Sequence, residues 1–288
     1  MGALRTSLIA LCVVAMLPAS GRAAPRCLAC HPVHYAQRGH CAGCHRGDER
    51  TDRKNIAHRD LIPAAYSHFA LPDSPAVRLG AERIEASSCR RCHAWRGEGN
   101  ALAARLDDLW TVSTPRKIHD AIRRPAAFMP DFRFDEAQIR DIVNAILAEG
   151  ARRERAAGAE IPAVVHFEDA DGAGNALFPR LCGPCHRLLS DVAGGLGGGA
   201  VGPNLSGLLT RHYPRTFGGR ERWTRDNLSK WLRNPRSVTP AALMPPIPLE
   251  PDQLRELSAL MAPRDDGEAI LGSGSPPGAG SPENADGS

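Results

Sequence analysis

The chain has 288 residues, a formal net charge of +4 and an aromatic content of 5%. So mild a charge, with no basic run interleaved with aromatics, excludes a nucleic-acid partner. So few aromatics leave little with which to build ordinary cores in two or three small domains, and something other than side chains must help to fill them.

In chain order, the first 23 residues have the layout of an export signal: Arg5, an apolar run from Leu8 to Leu17, then Pro18 and small residues, with Gly21 and Ala23 as a small-x-small cleavage site. The apolar run is too short for a membrane anchor, which needs roughly twenty residues. Cys12 lies in this stretch, lacks a lipobox and would be lost on cleavage.

The other eight cysteines fall into four identical Cys-x-x-Cys-His frames. They are Cys27, Cys30 and His31; Cys41, Cys44 and His45; Cys89, Cys92 and His93; and Cys182, Cys185 and His186. Zinc gives no reason for a histidine after every second cysteine, and a disulfide framework gives none either. Covalent haem c requires it: two thiols add to the vinyl groups of the porphyrin and the next residue supplies an imidazole to iron. With histidine at 11 of 288 positions, four coincidences in four frames are on the order of one in a million. Four haem c groups are therefore expected, and they also supply the missing apolar bulk.

Residues 24–75, with two frames in about fifty positions, predict a dihaem unit with little regular structure. No methionine lies near these frames, so the distal ligands of both irons are expected to be histidines. Three residues after His31, His34 cannot pass round the porphyrin edge to its own haem. It can reach the next one, because the ten residues between Cys30 and Cys41 span at most about 35 Å. His40 adjoins Cys41 and is badly placed to ligate. Crossed ligation is the expectation, with His34 on the Cys41 and Cys44 haem and His58 on the Cys27 and Cys30 haem. His68 is the substitute for either, and His119, His166 and His212 are read as ordinary side chains.

Beyond residue 75 the same order occurs twice: haem frame, helix, Arg-x-Pro, Met-Pro, helix. The first copy carries "KIHDAIRRPAAFMPDF" and the second "DNLSKWLRNPRSVTPAALMPPIP". Ile139, Ile142, Val143 and Ile146 form a helical stripe, started by a capping box of Asp135 and Gln138. Leu228, Trp231 and Leu232 form a shorter stripe that should stop before Pro235. "GGLGGG", residues 194–199, lacks the Gly-Lys-Ser/Thr of a phosphate cradle and is read as a flexible surface loop. The copies occupy 76–150 and 161–264, joined by a charged linker at 151–160. A Gly-, Ser- and Pro-rich tail at 265–288 is expected to be disordered.

On "NALFPRLCGPCH", "GPNLSGL" and the two Met-Pro segments, both copies resemble class I cytochromes c, which implies a mainly α fold. The resemblance makes Met129 and Met244 the distal ligands and leaves Met261, on the last helix, as core. It also implies that the carbonyl of Pro203 accepts a hydrogen bond from His186 and orients its ring. Over nearly the whole mature chain, "CHPVHY", "RKNIAHRDLI", "RCHAWRGEGNALAARLD" and "MPDF" resemble multihaem cytochromes of extracytoplasmic electron conduits, of the type named for selenite and tellurite reduction operons.

That resemblance implies an exported, periplasmic electron-transfer protein, with outer-membrane association and a membrane cytochrome complex among its candidate redox partners. Methionine ligation raises the potential relative to two histidines, so electrons would have a low-potential pair and two higher-potential haems to run through. If all four irons are six-coordinate there is no room for a small-molecule substrate, and the chain is a carrier and not an enzyme. A haem oxidoreductase, such as a peroxidase or an oxyanion reductase, would instead need one open iron.

Overall fold

A computed structural model describes residues 25–126, 128–156 and 177–262. The expected export signal, residues 157–160 of the expected linker, residues 161–176 at the start of the second copy with His166 among them, and the expected disordered tail lie outside these residues. Backbone contacts divide the chain into Met1–Arg59 and Asp60–Ser288. The described residues are mainly α-helical, with one two-stranded sheet among them.

In the first unit, 3-10 turns at Arg26–Ala29 and Ala36–Arg38 are followed by two short helices, α1 (Cys41–His45) and α2 (Lys54–Ala57). None of residues 25–59 is buried. Backbone bonds give the unit its shape: the N–H of Arg26 donates to the carbonyl of Glu49 at 2.8 Å, and the N–H of Asp48 donates to that of Ala57 at 3.1 Å. The 48–49 segment thereby holds the start of the first frame on one side and the end of α2 on the other.

The second unit contains two cores. The first is built on a long helix and the elements that cover it: α3 (Pro75–Ala86), α4 (Leu109–Val112), α5 (Pro115–Arg123) and α6 (Glu136–Ala156). The stripe Ile139, Ile142, Val143 and Ile146 is buried on α6 against Ile84, Trp95 and Ile118. Asp135 and Gln138 cap the helix reciprocally, the N–H of Gln138 donating to Asp135 Oδ1 at 2.8 Å and that of Asp135 to Gln138 Oε1 at 3.0 Å. Two boundaries differ from expectation. Residues 62–71 pack here, because the buried amide of Asn144 accepts from the N–H of Phe69 at 2.9 Å and donates to the carbonyl of Ala65 at 3.0 Å. Residues 151–156, expected as linker, continue α6, anchored by Arg153 on the buried carboxylate of Asp107 at 3.1 Å.

The second core gathers α7 (Leu177–Leu181), the hairpin β1 (Leu188–Ser190) and β2 (Gly194–Leu196), α8 (Arg225–Arg233), α9 (Pro235–Val238) and α10 (Pro251–Met261). Phe178, Leu188, Leu257 and Met261 are its fully enclosed side chains. The repeated order in the sequence becomes repeated structure. Thr114 and Thr224 cap α5 and α8, and Glu250 with Gln253 reproduces on α10 the capping box of α6. The glycine run, expected to be a flexible loop, is instead ordered against the fourth frame. β1 and β2 pair antiparallel with Leu188 opposite Leu196, and the N–H groups of Gly198 and Gly199 donate to the carbonyl of Gly183 at 3.2 and 2.9 Å.

Candidate functional site

Each Cys-x-x-Cys-His frame is wound into a single turn. In three of them the histidine N–H donates to the carbonyl of the first cysteine: His31 to Cys27 at 2.9 Å, His93 to Cys89 at 3.0 Å and His186 to Cys182 at 2.9 Å. The second frame is α1 itself. Two thiols and an imidazole thus leave from one turn of chain, as double attachment to a macrocycle with one axial ligand demands. All eight frame cysteines are free thiols. Among the described residues, no group of three or more His, Cys, Asp or Glu is placed to hold a metal ion.

At Cys89, Cys92 and Cys182 the surroundings suit a neutral sulfur better than a thiolate. Burial pushes Cys89 and Cys182 up to about 11 and raises Cys92 as well. Zinc binds the thiolate, which such surroundings disfavour. A sulfur bonded to a vinyl carbon stays neutral and tolerates burial.

On the proximal side of the fourth frame, the loop 202–208 lies flush against the imidazole. The carbonyl of Pro203 is 2.8 Å from His186 Nδ1, as the resemblance implied, and Gly202 sits so close to the ring that a Cβ there would strike it. An equivalent contact in the third frame has no counterpart in the sequence reading: His93 Nδ1 is 2.6 Å from the carbonyl of Ala104. Each bond leaves Nε2 free for a metal and fixes the ring about its axis. Burial lowers the pKa of His93, against the opposing pull of the Ala104 carbonyl. That favours the neutral imidazole that a metal requires. Among the described residues, two buried donor atoms beside this frame, Trp95 Nε1 and Arg90 Nε, have no acceptor, while the terminal nitrogens of Arg90 pair with Glu85 and Glu98; the anionic propionates of a haem are groups of the kind that would serve the two free atoms.

In the first unit the structure brings four histidines into two pairs. His34 faces His45 with ring centroids 5.7 Å apart and planes at 83°, and His58 faces His31 at 5.9 Å and 55°. His40 belongs to neither pair. It precedes α1 and puts Nδ1 3.0 Å from Glu49 Oε1. Glu49 also accepts from the N–H of Ala42 at 3.4 Å and, through its carbonyl, from Arg26, so one residue links both frames. His68 lies in the second unit, exposed on the 3-10 helix Ala64–Ala70, whose Tyr66 and Phe69 are buried.

The two methionines differ in their surroundings. Met244 is partly buried against the second core and receives the indole N–H of Trp231 on its sulfur at 3.1 Å. Met129 is half-buried in a turn closed by its own N–H on the carbonyl of Ala126 at 2.9 Å. Of the histidines read as ordinary, His119 is buried with Nε2 3.0 Å from Glu136 Oε2, and His212 accepts from Arg211 Nε at 3.2 Å. Ala104, Glu49 and the Trp231 contact were not foreseen. Only Trp231 left a trace in the pattern, as a member of the apolar stripe on α8.

Residues 75–144 match the family model described as Cytochrome C oxidase, cbb3-type, subunit III. No curated protein and no solved structure matches the chain. The matched stretch runs from the start of α3, through the third frame and Met129, to the middle of α6. It supports a c-type cytochrome of mainly α fold, in which haem c is covalently bound and electrons pass through its iron.

Proposed function

We propose that the whole chain is an electron carrier with four haem c groups, exported to the periplasm and working within a respiratory electron conduit of the outer membrane or periplasm. The observation that carries this proposal is the pairing of His34 with His45 and of His31 with His58. Two imidazoles on opposite sides of one metal, each about 2.0 Å from it, hold their ring centroids roughly 6.4 Å apart. The pairs in the first unit, at 5.7 and 5.9 Å, would need to open by about 0.5–0.7 Å to accept an iron. A unit whose described residues include no buried side chain also suits two macrocycles as its core.

Bound haem c supplies a one-electron Fe(III)/Fe(II) couple. The protein's part is to anchor, orient and tune it. Cys27 and Cys30, Cys41 and Cys44, Cys89 and Cys92, and Cys182 and Cys185 anchor the four groups. His31, His45, His93 and His186 would supply one ligand to each iron, the last two oriented by the carbonyls of Ala104 and Pro203. His58 and His34 in the first unit, and Met129 and Met244 in the second, would supply the other. With every iron six-coordinate the chain takes no small-molecule substrate. Its partners are redox proteins, and a membrane or outer-membrane cytochrome complex fits the conduit role.

Four haems per chain by pyridine haemochrome and intact mass, two bis-histidine and two histidine/methionine low-spin signals by EPR, and no uptake of carbon monoxide by the reduced protein are the expected results. A high-spin signal or a carbon monoxide adduct would refute the carrier assignment for that centre. A reductive titration should resolve a low-potential pair and a high-potential pair.

A further inference from the structure

In the second unit, the third frame meets the loop that orients the imidazole of the fourth. Arg91, between the two cysteines of the third frame, reaches the carbonyl of Asn204 with Nη1 at 3.5 Å and lies 5.5 Å over the ring of Tyr213. The hydroxyl of Tyr213 donates to the same Asn204 carbonyl at 3.1 Å. Asn204 Nδ2 donates to the carbonyl of Phe128, next to Met129, at 2.9 Å, and Asn204 Oδ1 accepts from the N–H of Ser206 at 2.9 Å. Asn204 therefore holds both the proximal frame and the Met-Pro segment of the third site. Covalently, it follows Pro203, whose carbonyl is bonded to His186.

The same contact is tightened at its rim. Asn100 Nδ2 donates to the carbonyl of Arg91 at 2.8 Å and to Thr210 Oγ1 at 3.1 Å. At Gly207, where φ is +66°, a Cβ would lie 2.6 Å from the carbonyl oxygen of Arg91. Only glycine allows both that backbone angle and that approach.

Taking the four-haem proposal as given, we infer that residues 203–206, centred on Asn204, are the electron junction between the haem on Cys89 and Cys92 and the haem held by His186. Four residues span at most about 14 Å even when fully extended. Along that stretch lie the contact to the frame carrying one porphyrin edge and the carbonyl bonded to the imidazole of the next iron. The junction moves a single electron, oxidising Fe(II) on one side as it reduces Fe(III) on the other, with no bond formed and no proton moved. Asn204 and Arg91 are positioning residues: they fix the separation across which the electron tunnels.

The test is intramolecular electron equilibration in the full holoprotein, followed after pulse radiolysis, in Asn204→Ala and, as a gentler change, Arg91→Ala. Magnetic interaction between the two histidine/methionine haems is read in parallel by EPR of the oxidised protein. At full haem content and with unchanged visible spectra, equilibration between these haems is expected to slow at least tenfold in Asn204→Ala, with weakened magnetic coupling. A smaller change in the same direction is expected in Arg91→Ala. Wild-type rates and coupling in both variants would overturn the junction. The haem count and ligand-field spectra of the unsubstituted protein test the four-haem proposal separately, so the two can fail independently.

Discussion

Replacing Trp231 by phenylalanine removes one hydrogen bond while keeping an aromatic ring beside Trp223. The indole N–H lies 3.1 Å from the sulfur of Met244, on a helix whose neighbouring Leu228 and Leu232 are buried. A thioether has two lone pairs: one can bind iron while the other accepts the N–H. Donation to sulfur withdraws electron density and costs the ferric state more than the ferrous, so the bond raises the potential. A typical net hydrogen bond contributes about 0.5–1.5 kcal/mol, and a tenfold change in a one-electron equilibrium, about 1.4 kcal/mol, equals about 59 mV. If the whole bond discriminated between the two oxidation states, the shift would be about 20–60 mV. Sulfur is a weak acceptor, which favours the lower half of that range. Trp231→Phe should therefore lower the potential of the His186 haem by about 20–40 mV while leaving the sulfur-to-iron charge-transfer band in place. Spectroelectrochemical titration of wild type and variant, monitored at that band, measures it. A rise in potential, or a shift indistinguishable from zero with the band intact, would refute the role given to the N–H···S contact.

Substituting His34 or His58 by alanine should leave one haem in each variant high-spin and able to bind carbon monoxide, with added imidazole restoring the low-spin spectrum. Asn144→Ala strips the buried Phe69 N–H and Ala65 carbonyl of their partner. At about 1–3 kcal/mol for each unpaired group, a loss of about 2–6 kcal/mol is expected, read as a lower denaturant midpoint at unchanged slope. Burial also pushes the Tyr213 hydroxyl above its ordinary pKa. The folded protein then keeps a proton that the unfolded chain gives up, so this stabilisation is complete below about pH 10 and is lost as pH rises beyond it. Unfolding midpoints between about pH 9 and about pH 11 should fall less steeply in Tyr213→Phe.

What the sequence made legible was written in short-range patterns. Cysteine and histidine in one turn, the stripe on α6, the Asp135 and Gln138 cap, and the stop at Pro235 all involve residues within a few positions of one another. The carbonyl beneath His186 was legible through "GPNLSGL", whereas its counterpart at Ala104 was not: a backbone carbonyl has no residue type, and it lies eleven positions after its histidine, where Pro203 lies seventeen after its own. The attachment of residues 62–71 to α6 was hidden because a single amide, 75 positions from Phe69, makes it. The glycine run misled because composition reports what a backbone is free to do. In the fold, β-pairing and bonds to Gly183 use up that freedom. His40 is adjacent to a cysteine but faces Glu49, a partner with no marker in the motif.

The pairing of imidazoles in the first unit has the form of one bracket inside another. His34 and His45 are 11 positions apart and lie wholly within the 27-position interval from His31 to His58. Closing the inner pair first shortens the outer loop to about 16 effective positions and lowers its closure cost by about 0.5 kcal/mol. A chain delivered amino terminus first would meet its partners in that same order, with residue 58 arriving last and sealing the earliest frame.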